Sequence, residues 1–304
     1  MQAIAKVQDA VLQAIETSLA GQLAPSSQAT YKRDLQHFAT WIQTQGKTFG
    51  VLTLDDMKTY RAHLVETFAK STAGRMLTVA RIAVKEGTYR GLCAIPDIER
   101  LKGFKLDNES PRTALDDVQC RQLLSAIERE APRGKRDYAL LALLIRTGIR
   151  RAELVAANIG DLGSEGGHFI LTIQHGKGDK RRIVKVPPDL HRAIQEYLMT
   201  RGDVAPNAPL FVGIRKDGAW KETPIHMYGG LSYILQERAR VIGLHLTPHD
   251  LRATFATLAL EGRAPLQKVQ YAMGHSDPRT TERYHRKKQN LDDNATDYIR
   301  TLSD

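Results

Sequence analysis

The sequence predicts a mainly α protein, in which a small all-α domain precedes a larger α+β domain with a small β-sheet. Two patterns support this fold class. Apolar residues recur at helical spacing along most of the chain, whereas two β-rich segments, 168–174 and 181–187, flank a glycine-rich turn. A polar, proline-containing stretch near 104–114 has no periodicity and indicates a linker. The expected domains are therefore 1–103 and 115–304.

The charge of the chain favours a polyanionic partner. Its 304 residues are enough for two domains, and 44 Lys and Arg against 34 Asp and Glu give a formal net charge of +10. Nucleic acid is the first candidate partner and a membrane surface the second. Two cysteines, Cys93 and Cys120, make neither a disulfide framework nor a zinc site. Without a signal peptide or an apolar run of roughly 20 residues, we expect a cytoplasmic protein with no membrane partner.

Three helices are expected in the first domain. The first has Ser26 or Ser27 as its cap and stops at Gly46. The second opens with Thr53 as its cap and has acidic residues in its first turn, where the helix dipole favours them. The third lies within residues 70–92 and is strongly basic.

The basic residues of the third helix have two interpretations. They are Lys70, Arg75, Arg81 and Lys85. In the first interpretation they face DNA, so that the two domains clamp a duplex. In the second they form an ordinary solvated helix face.

Glycines and prolines delimit the helices of the second domain. Gly148 ends the helix that contains the apolar run 138–145. Another helix has Pro248 near its start and Gly262 as its stop. The segments 168–174 and 181–187 are expected to pair as a hairpin or as two edge strands.

Polar side chains stand at the ends of these elements. Arg150 is either a surface arginine paired with Glu153 or a group that binds a ligand. Lys177, between two glycines at the hairpin tip, is either a solvated turn lysine or a group that swings onto a ligand. His249 and Arg252 are three residues apart at a helix N-terminus, on one face, where an anion is favoured.

A further pair of polar residues lies near the C-terminus. His275 directly follows a helix stop at Gly274. Asp277 caps the next helix and Pro278 occupies its first turn. Tyr284 is expected on that helix, with basic residues directly after it.

Taken together, these residues suit one reaction. The set is Arg150, Lys177, His249, Arg252, His275 and Tyr284. No carboxylate cluster is available for Mg²⁺, so the set predicts metal-free attack by a tyrosine on a phosphodiester. Arginines bind non-bridging phosphate oxygens through their forked donors. A tyrosine with a pKa of about 10 needs cationic surroundings or a base to act as a nucleophile.

Four motifs carry a resemblance to a known family. "TGIRRAEL", "GKGDKRR", "HDLRATFA" and "MGHSDPRTTERY" resemble, in order and spacing, the motifs of tyrosine site-specific recombinases of the integrase and Xer type. The resemblance covers residues 115–290 strongly, and the first domain is similar to the family's helical core-binding domain more weakly. Met273 stands where leucine is usual, and Ala253 where histidine is frequent.

The resemblance implies a role for each residue of the set. Arg150 and Arg252 would bind the scissile phosphate and His275 would hydrogen-bond one of its oxygens. Lys177 would protonate the leaving 5′-oxygen, and His249 would handle the proton of Tyr284. Tyr284 would become a 3′-phosphotyrosine. Glu153 matches an acidic position that supports the site.

The resemblance also implies how the enzyme works with its partners. The expected partner is double-stranded DNA carrying a recombination site, bound by a homotetramer or a related-recombinase heterotetramer across two sites. Strand exchange would pass through a Holliday junction and need no cofactor, metal or ATP. A tail helix is expected at about 292–303, docked either in cis or on a neighbouring subunit. Two alternatives stay open, which are a type IB topoisomerase and a non-catalytic DNA-binding regulator.

Overall fold

The computed structural model describes most of the chain. The described residues are 17, 25–95, 97–104, 114–174, 181–275, 278–282 and 284. The chain divides into two compact units, residues 1–107 and 108–304. Helices dominate both, and the strands form two small antiparallel sheets, which confirms the predicted fold class. Within the described ranges, no helix is long and apolar enough to cross a membrane. The predicted tail helix at about 292–303 lies outside them.

Over residues 25–95 and 97–104, the first unit contains three helices, numbered here in chain order. They are α1 (Pro25–Thr44), α2 (Leu54–Thr67) and α3 (Lys70–Tyr89), with short 3-10 turns at Phe49–Val51 and Ile98–Arg100. The apolar faces of the helices meet in one core, where Phe38, Tyr60 and Leu77 are almost completely buried. This core gives the unit its own hydrophobic stabilisation.

The helix boundaries of the first unit match the sequence signals in part. Thr53 caps α2 as predicted, and the side chain of Asp56 completes a capping box with it. Gly46 has a φ of 66° just beyond the end of α1, which is the left-handed conformation expected at a helix stop. The cap predicted at Ser26 or Ser27 is wrong, because α1 already includes Pro25. Both serines lie inside the helix, where serine costs little.

Most of the helices in the described part of the chain, and both of its sheets, belong to the second unit. Its helices are α4 (Asp117–Ser125), α5 (Pro132–Thr147), α6 (Arg151–Ala156), α7 (Pro188–Met199), α8 (Gly230–Val241), α9 (Pro248–Glu261), α10 (Leu266–Met273) and α11 (Pro278–Glu282). Its strands are β1 (Leu162–Glu165), β2 (His168–Ile173), β3 (Arg182–Lys185), β4 (Val212–Ile214) and β5 (Trp220–Pro224).

Helix α5 forms the centre of the second unit. Every residue from 139 to 145 is buried, so the helix is enclosed on all sides and packs against α7 and α9. It ends at Gly148, whose φ of 60° makes the left-handed turn that the sequence predicts. Arg150 follows at the N-cap position of α6, so the buried helix α5 fixes the position of its backbone.

The sheets only partly follow the prediction. Strands β2 and β3 pair antiparallel, with Leu171 opposite Val184, as the β-rich segments predict. The third strand of that sheet, β1, was not predicted, because its sequence "LGSE" has no β-branched residue. The second sheet, β4 with β5, was also missed, because both strands are short and four of the five residues of β5 are exposed.

Candidate active site

Three arginine side chains donate to three consecutive backbone carbonyls at the end of α10. The bonds are Arg182 Nε to Ala272 O at 3.1 Å, Arg252 Nη2 to Met273 O at 2.7 Å and Arg150 Nη2 to Gly274 O at 2.6 Å. The last carbonyls of a helix have no partner within the helix, and they lie at the negative end of its dipole. The end of α10 therefore gathers arginines from β3, α9 and the start of α6.

Two glycines make the close approach of these side chains possible. Gly274 has a φ of 61°, and a Cβ atom on it would lie 2.9 Å from Cζ of Arg182. Gly148 has a φ of 60°, and a Cβ atom there would lie 2.3 Å from Cδ1 of Phe255. The carbonyl of Gly148 also accepts a hydrogen bond from Nη1 of Arg252. Both positions therefore need glycine for conformation and for space.

Glu153 accepts four hydrogen bonds from two arginines. Its Oε1 atom accepts from Arg150 Nη1 at 2.7 Å and from Arg182 Nη1 at 2.9 Å. Its Oε2 atom accepts from the Arg150 backbone N–H at 2.8 Å and from Arg182 Nη2 at 2.7 Å. Burial alone would raise the pKa of Glu153, but the hydrogen bonds from Arg182 and Arg150 outweigh it and lower the pKa to about 2. The carboxyl group is therefore ionised at neutral pH.

Arg252 is the most buried guanidinium of the arginines predicted for the site, with 4% of the residue exposed. Burial lowers its pKa to about 10, and the positive charge of Arg150 acts in the same direction. The negative charges of Glu153 and of an ionised Tyr284 act in the opposite direction. Arg252 stays charged at neutral pH, so the described cluster holds three guanidinium groups and one carboxylate. A phosphate would neutralise part of that excess positive charge.

His275 connects Arg252 to the tyrosine. Its Nε2 atom lies 2.8 Å from Arg252 Nη2, and its Nδ1 atom lies 2.8 Å from the hydroxyl of Thr281. The rings of His275 and Tyr284 are stacked, with 6.4 Å between their centroids and 12° between their planes. The structure therefore brings together four of the six predicted residues, namely Arg150, Arg252, His275 and Tyr284.

The position of Tyr284 corrects one prediction. Helix α11 ends at Glu282, so Tyr284 lies in the turn after it and not on the helix. Its backbone N–H donates to Thr281 O at 3.0 Å, three residues back, where an α-helix bonds four back. The tyrosine is only 8% exposed and packs against a small apolar cluster that includes Ala256 and Met273.

The two other predicted residues are Lys177 and His249. Lys177 lies outside the described residues. His249 is exposed in the first turn of α9, whereas Arg252 on the same helix points into the core. Thr247 and Asp250 form a capping box at the start of that turn, with 2.6 Å between Thr247 Oγ1 and Asp250 Oδ2. The helix start that carries His249 is therefore well defined.

The basic residues predicted to face DNA all lie on α3, and three of them contact acidic side chains of the first unit. Arg75 pairs with Asp34, and both Arg81 and Lys85 pair with Glu99. Lys70 is exposed at the first position of the helix.

Sequence reasoning missed Arg182 and Thr281. Arg182 had a detectable signal, because it has the same parity along β3 as the buried residues Val184 and Val186. A charged residue on the inward face of a strand needs a buried partner. Thr281 is fully buried but had no comparable signal, since threonine occurs on both buried and exposed faces of helices.

Comparison with known proteins shows the family of the chain. The model of the phage integrase family matches residues 113–290. The chain is 33% identical over 267 residues to the tyrosine recombinase XerC of Pelobacter propionicus, covering 86% of this chain and 85% of that one. It is 30% identical over 268 residues to the tyrosine recombinase XerA of Pyrococcus furiosus, covering 83% and 88%. The chain therefore belongs to the tyrosine recombinase family, whose members are enzymes that cleave and rejoin DNA.

Solved structures share the fold. A dimer of lambda integrase residues 75–356 bound to a COC′ core site aligns with a TM-score of 0.69 at 15% identity, covering 93% of this chain and 97% of that one. The XerH recombinase in a pre-cleavage complex with its difH substrate aligns with a TM-score of 0.64 at 22% identity, covering 84% and 75%. At these identities the similarity establishes the fold alone.

Proposed function

We propose that the protein is a site-specific DNA recombinase that cleaves each strand through a 3′-phosphotyrosine on Tyr284 and exchanges strands through a Holliday junction. The convergence of Arg150, Arg252 and His275 on the end of α10, with the ring of Tyr284 against His275, carries the proposal. Guanidinium groups and an imidazole beside a tyrosine are the groups that a metal-free phosphoryl transfer uses.

Binding of the scissile phosphate is assigned to the two arginines. A guanidinium carries five N–H groups, and the described contacts of Arg150 occupy two of them. Its side chain is 21% exposed, so its other donors can reach a phosphate that arrives from solvent. Arg252 is more deeply buried and contributes positive charge from the interior of the protein. Charge that builds up on the non-bridging oxygens in the transition state would be stabilised by donors already in position.

The cleavage step forms one bond and breaks another. The phenolic oxygen of Tyr284 bonds to phosphorus while the bond from phosphorus to the 5′-oxygen breaks, which leaves the 3′ end attached to the protein. His249 accepts or relays the phenolic proton, and Lys177 protonates the leaving 5′-oxygen. His275 donates to a phosphate oxygen through Nε2 once the phosphate has entered the site, has displaced Arg252 from that nitrogen, and Nε2 has gained a proton. The phosphoester count is unchanged, so attack by a 5′-hydroxyl of a partner strand reverses the step without an energy source.

The proposed partner is double-stranded DNA with a specific recombination site, bound by four subunits on two duplexes. The excess of basic residues in the chain supports a polyanionic partner. The lambda integrase and XerH structures hold DNA sites, which supports the same partner for this chain. The first unit would then contact the duplex through α3.

The deciding experiment compares the wild-type chain with Tyr284→Phe. Protein–DNA adducts are trapped by denaturation in cells that express either form, and the attached DNA is sequenced. The wild type is expected to carry DNA from a discrete site. Tyr284→Phe is expected to bind a duplex of that site with unchanged affinity and to form no adduct, because only the nucleophilic hydroxyl is lost.

Three other outcomes would contradict parts of the proposal. An adduct on Tyr284→Phe would move the nucleophile elsewhere, and a wild type without adducts would favour the non-catalytic regulator. On a plasmid with two copies of the recovered site, the proposed recombinase is expected to yield exchanged products in EDTA. Relaxation of supercoils without exchange would favour the topoisomerase alternative.

A further inference from the structure

We propose that Arg182 is a positioning residue for strand cleavage, which holds Glu153 so that Glu153 in turn holds Arg150 in place for the phosphate. The proposal rests on the proposed function of the same site. Arg182 itself is buried beneath the site, so it is assigned no contact with DNA.

The first support is the geometry of the shared carboxylate. Arg182 contacts both oxygens of Glu153 through its two Nη atoms, at 2.9 and 2.7 Å, which is the bidentate arrangement that fixes a carboxylate in orientation as well as in position. The same two oxygens accept from the side chain and from the backbone N–H of Arg150. Glu153 therefore transmits the position of Arg182 to both parts of Arg150.

The second support is how firmly Arg182 itself is held. It lies on β3 with the same inward orientation as Val184, which is part of the core of the second unit. Its Nε atom donates to Ala272 O at 3.1 Å, so it is attached to the end of α10 as well. Gly274 leaves room for the guanidinium, since any Cβ atom there would lie 2.9 Å from its Cζ. Arg182 is thus fixed by a strand, a helix end and a glycine.

The third support is the cost of placing such a group in the core. Arg182 is 7% exposed, and a buried cation needs good hydrogen bonds to offset its loss of hydration. An apolar residue would fill an inward strand position without that cost. A guanidinium in this place gives what an apolar side chain cannot, which is control over the orientation of Glu153.

Arg182→Lys tests the inference, because lysine keeps the charge and loses the planar fork. The matched control is Arg136→Lys in the same unit. Arg136 is 4% exposed, contacts one carboxylate oxygen of Asp137, Oδ1, through Nε at 2.9 Å and Nη2 at 2.6 Å, and donates to the backbone carbonyl of Val212. Both substitutions therefore remove a buried fork from one carboxylate and one carbonyl, and only the first lies at the site.

Cleavage is measured on a nicked duplex of the site recovered from wild-type adducts, together with duplex affinity and the unfolding midpoint. Both variants are expected to lower the midpoint. Arg182→Lys is expected to lower the cleavage rate at saturating DNA by about 10²-fold, the cost of a small misplacement of a binding group, with affinity changed much less. Arg136→Lys is expected to cleave at the wild-type rate.

A double mutant separates positioning from a general loss of structure. If Arg182 acts through Arg150, then adding Arg182→Lys to Arg150→Ala causes little further loss of rate, because the group to be positioned is already gone. Losses that multiply in the double mutant would overturn the inference, as would equal cleavage rates for Arg182→Lys and Arg136→Lys. A wild type that cleaves no DNA would instead contradict the proposed function.

Discussion

The Nη2 atom of Arg252 lies 2.8 Å from Nε2 of His275. A guanidinium has no lone pair to accept with, so the histidine Nε2 is the acceptor. In the neutral ring, the proton is then on Nδ1, which donates to the hydroxyl of Thr281 at 2.8 Å. This chain of contacts fixes both the orientation and the tautomer of His275. Thr281 therefore has a direct effect on a residue that we assign to the phosphate.

We expect Thr281→Val to release the histidine ring and lower the cleavage rate. Thr281 is fully buried, so water cannot readily take the place of the hydroxyl that the substitution removes. The expected loss is about tenfold, which corresponds to one hydrogen bond of ordinary strength. Nitrogen chemical shifts of the His275 ring should report the Nδ1–H tautomer in the wild type and a mixture in the variant.

Thr257→Val is the matched control for that substitution. Thr257 is 4% exposed on α9, and its hydroxyl has no hydrogen-bond partner among the described residues. The control is expected to keep the wild-type cleavage rate and the wild-type ring signals. A Thr281→Val protein with unchanged rate and tautomer would contradict the role given to Thr281.

We expect the second unit to become less stable at acid pH because of Glu153. The folded-state pKa is lowered from 4.5 to about 2, so the stabilisation is fully present above about pH 4.5 and is lost as the pH falls towards 2. The free energy of unfolding of Glu153→Gln should be lower than that of the wild type at pH 7, by on the order of 3 kcal/mol.

The measurement is denaturant unfolding at pH 7, 4.5 and 3 for the wild type and the variant. The difference between them should shrink with falling pH, because below about pH 4.5 the carboxyl of the unfolded wild type becomes protonated while that of the folded form is still ionised, and the amide does not titrate. Glu165→Gln, at an exposed position of β1, controls for loss of a carboxyl group as such. A difference that stays constant down to pH 3 would contradict the assignment.

We expect Gly274→Ala to lower the cleavage rate by more than the strain on its backbone explains. Gly274 and Gly243 both have left-handed φ values, 61° and 69°, so alanine costs about 1–2 kcal/mol at either position. A Cβ atom at Gly243 would have nothing within 4 Å, whereas one at Gly274 would push against Arg182. Gly274→Ala should therefore lose cleavage, and Gly243→Ala should lose stability alone. Equal effects on cleavage would show that the space at Gly274 is not needed.

Local sequence signals account for several helix ends and for the pairing of β2 with β3, but not for the contacts of the site. Gly148 and Gly274 mark helix ends because their left-handed conformation depends on a few neighbouring residues. The motifs identified Arg150, Arg252, His275 and Tyr284 as a set through family resemblance. No periodicity could show that Arg150 bonds to Gly274, because 124 positions separate them. Such contacts depend on how α5, α9 and α10 pack.

The environment of Tyr284 could not be read from the sequence for the same reason. Its neighbours in the chain are basic, yet its neighbours in space include Val269 and Met273. The sequence therefore suggested cationic surroundings and gave no sign that the side chain is buried. Arg182 was hidden differently, since its inward parity on β3 was visible but a strand of four residues is too short to make parity decisive.

The last prediction separates two kinds of basic residue on α3. Arg75 pairs with Asp34, whose side chain is only 7% exposed. Burial of the nearby Tyr60 raises the pKa of that tyrosine, and the negative charge of Asp34 raises it further. Arg75→Gln would leave that carboxylate buried without its cation, so we expect a loss of about 1–3 kcal/mol in the free energy of unfolding. We expect little change in the salt dependence of DNA binding, because Arg75 is committed to Asp34.

Lys85 is expected to behave in the opposite way. Its side chain is 50% exposed and its partner Glu99 is 64% exposed, so a DNA phosphate can replace the carboxylate at little cost. Lys85→Gln should leave stability almost unchanged and reduce the slope of log affinity against log salt by about 1. Affinities for the recovered duplex between 50 and 200 mM salt, roughly the range over which phosphate contacts change binding most visibly, measure the slope. An unchanged slope for Lys85→Gln, or a reduced one for Arg75→Gln, would show that α3 meets DNA differently from this assignment.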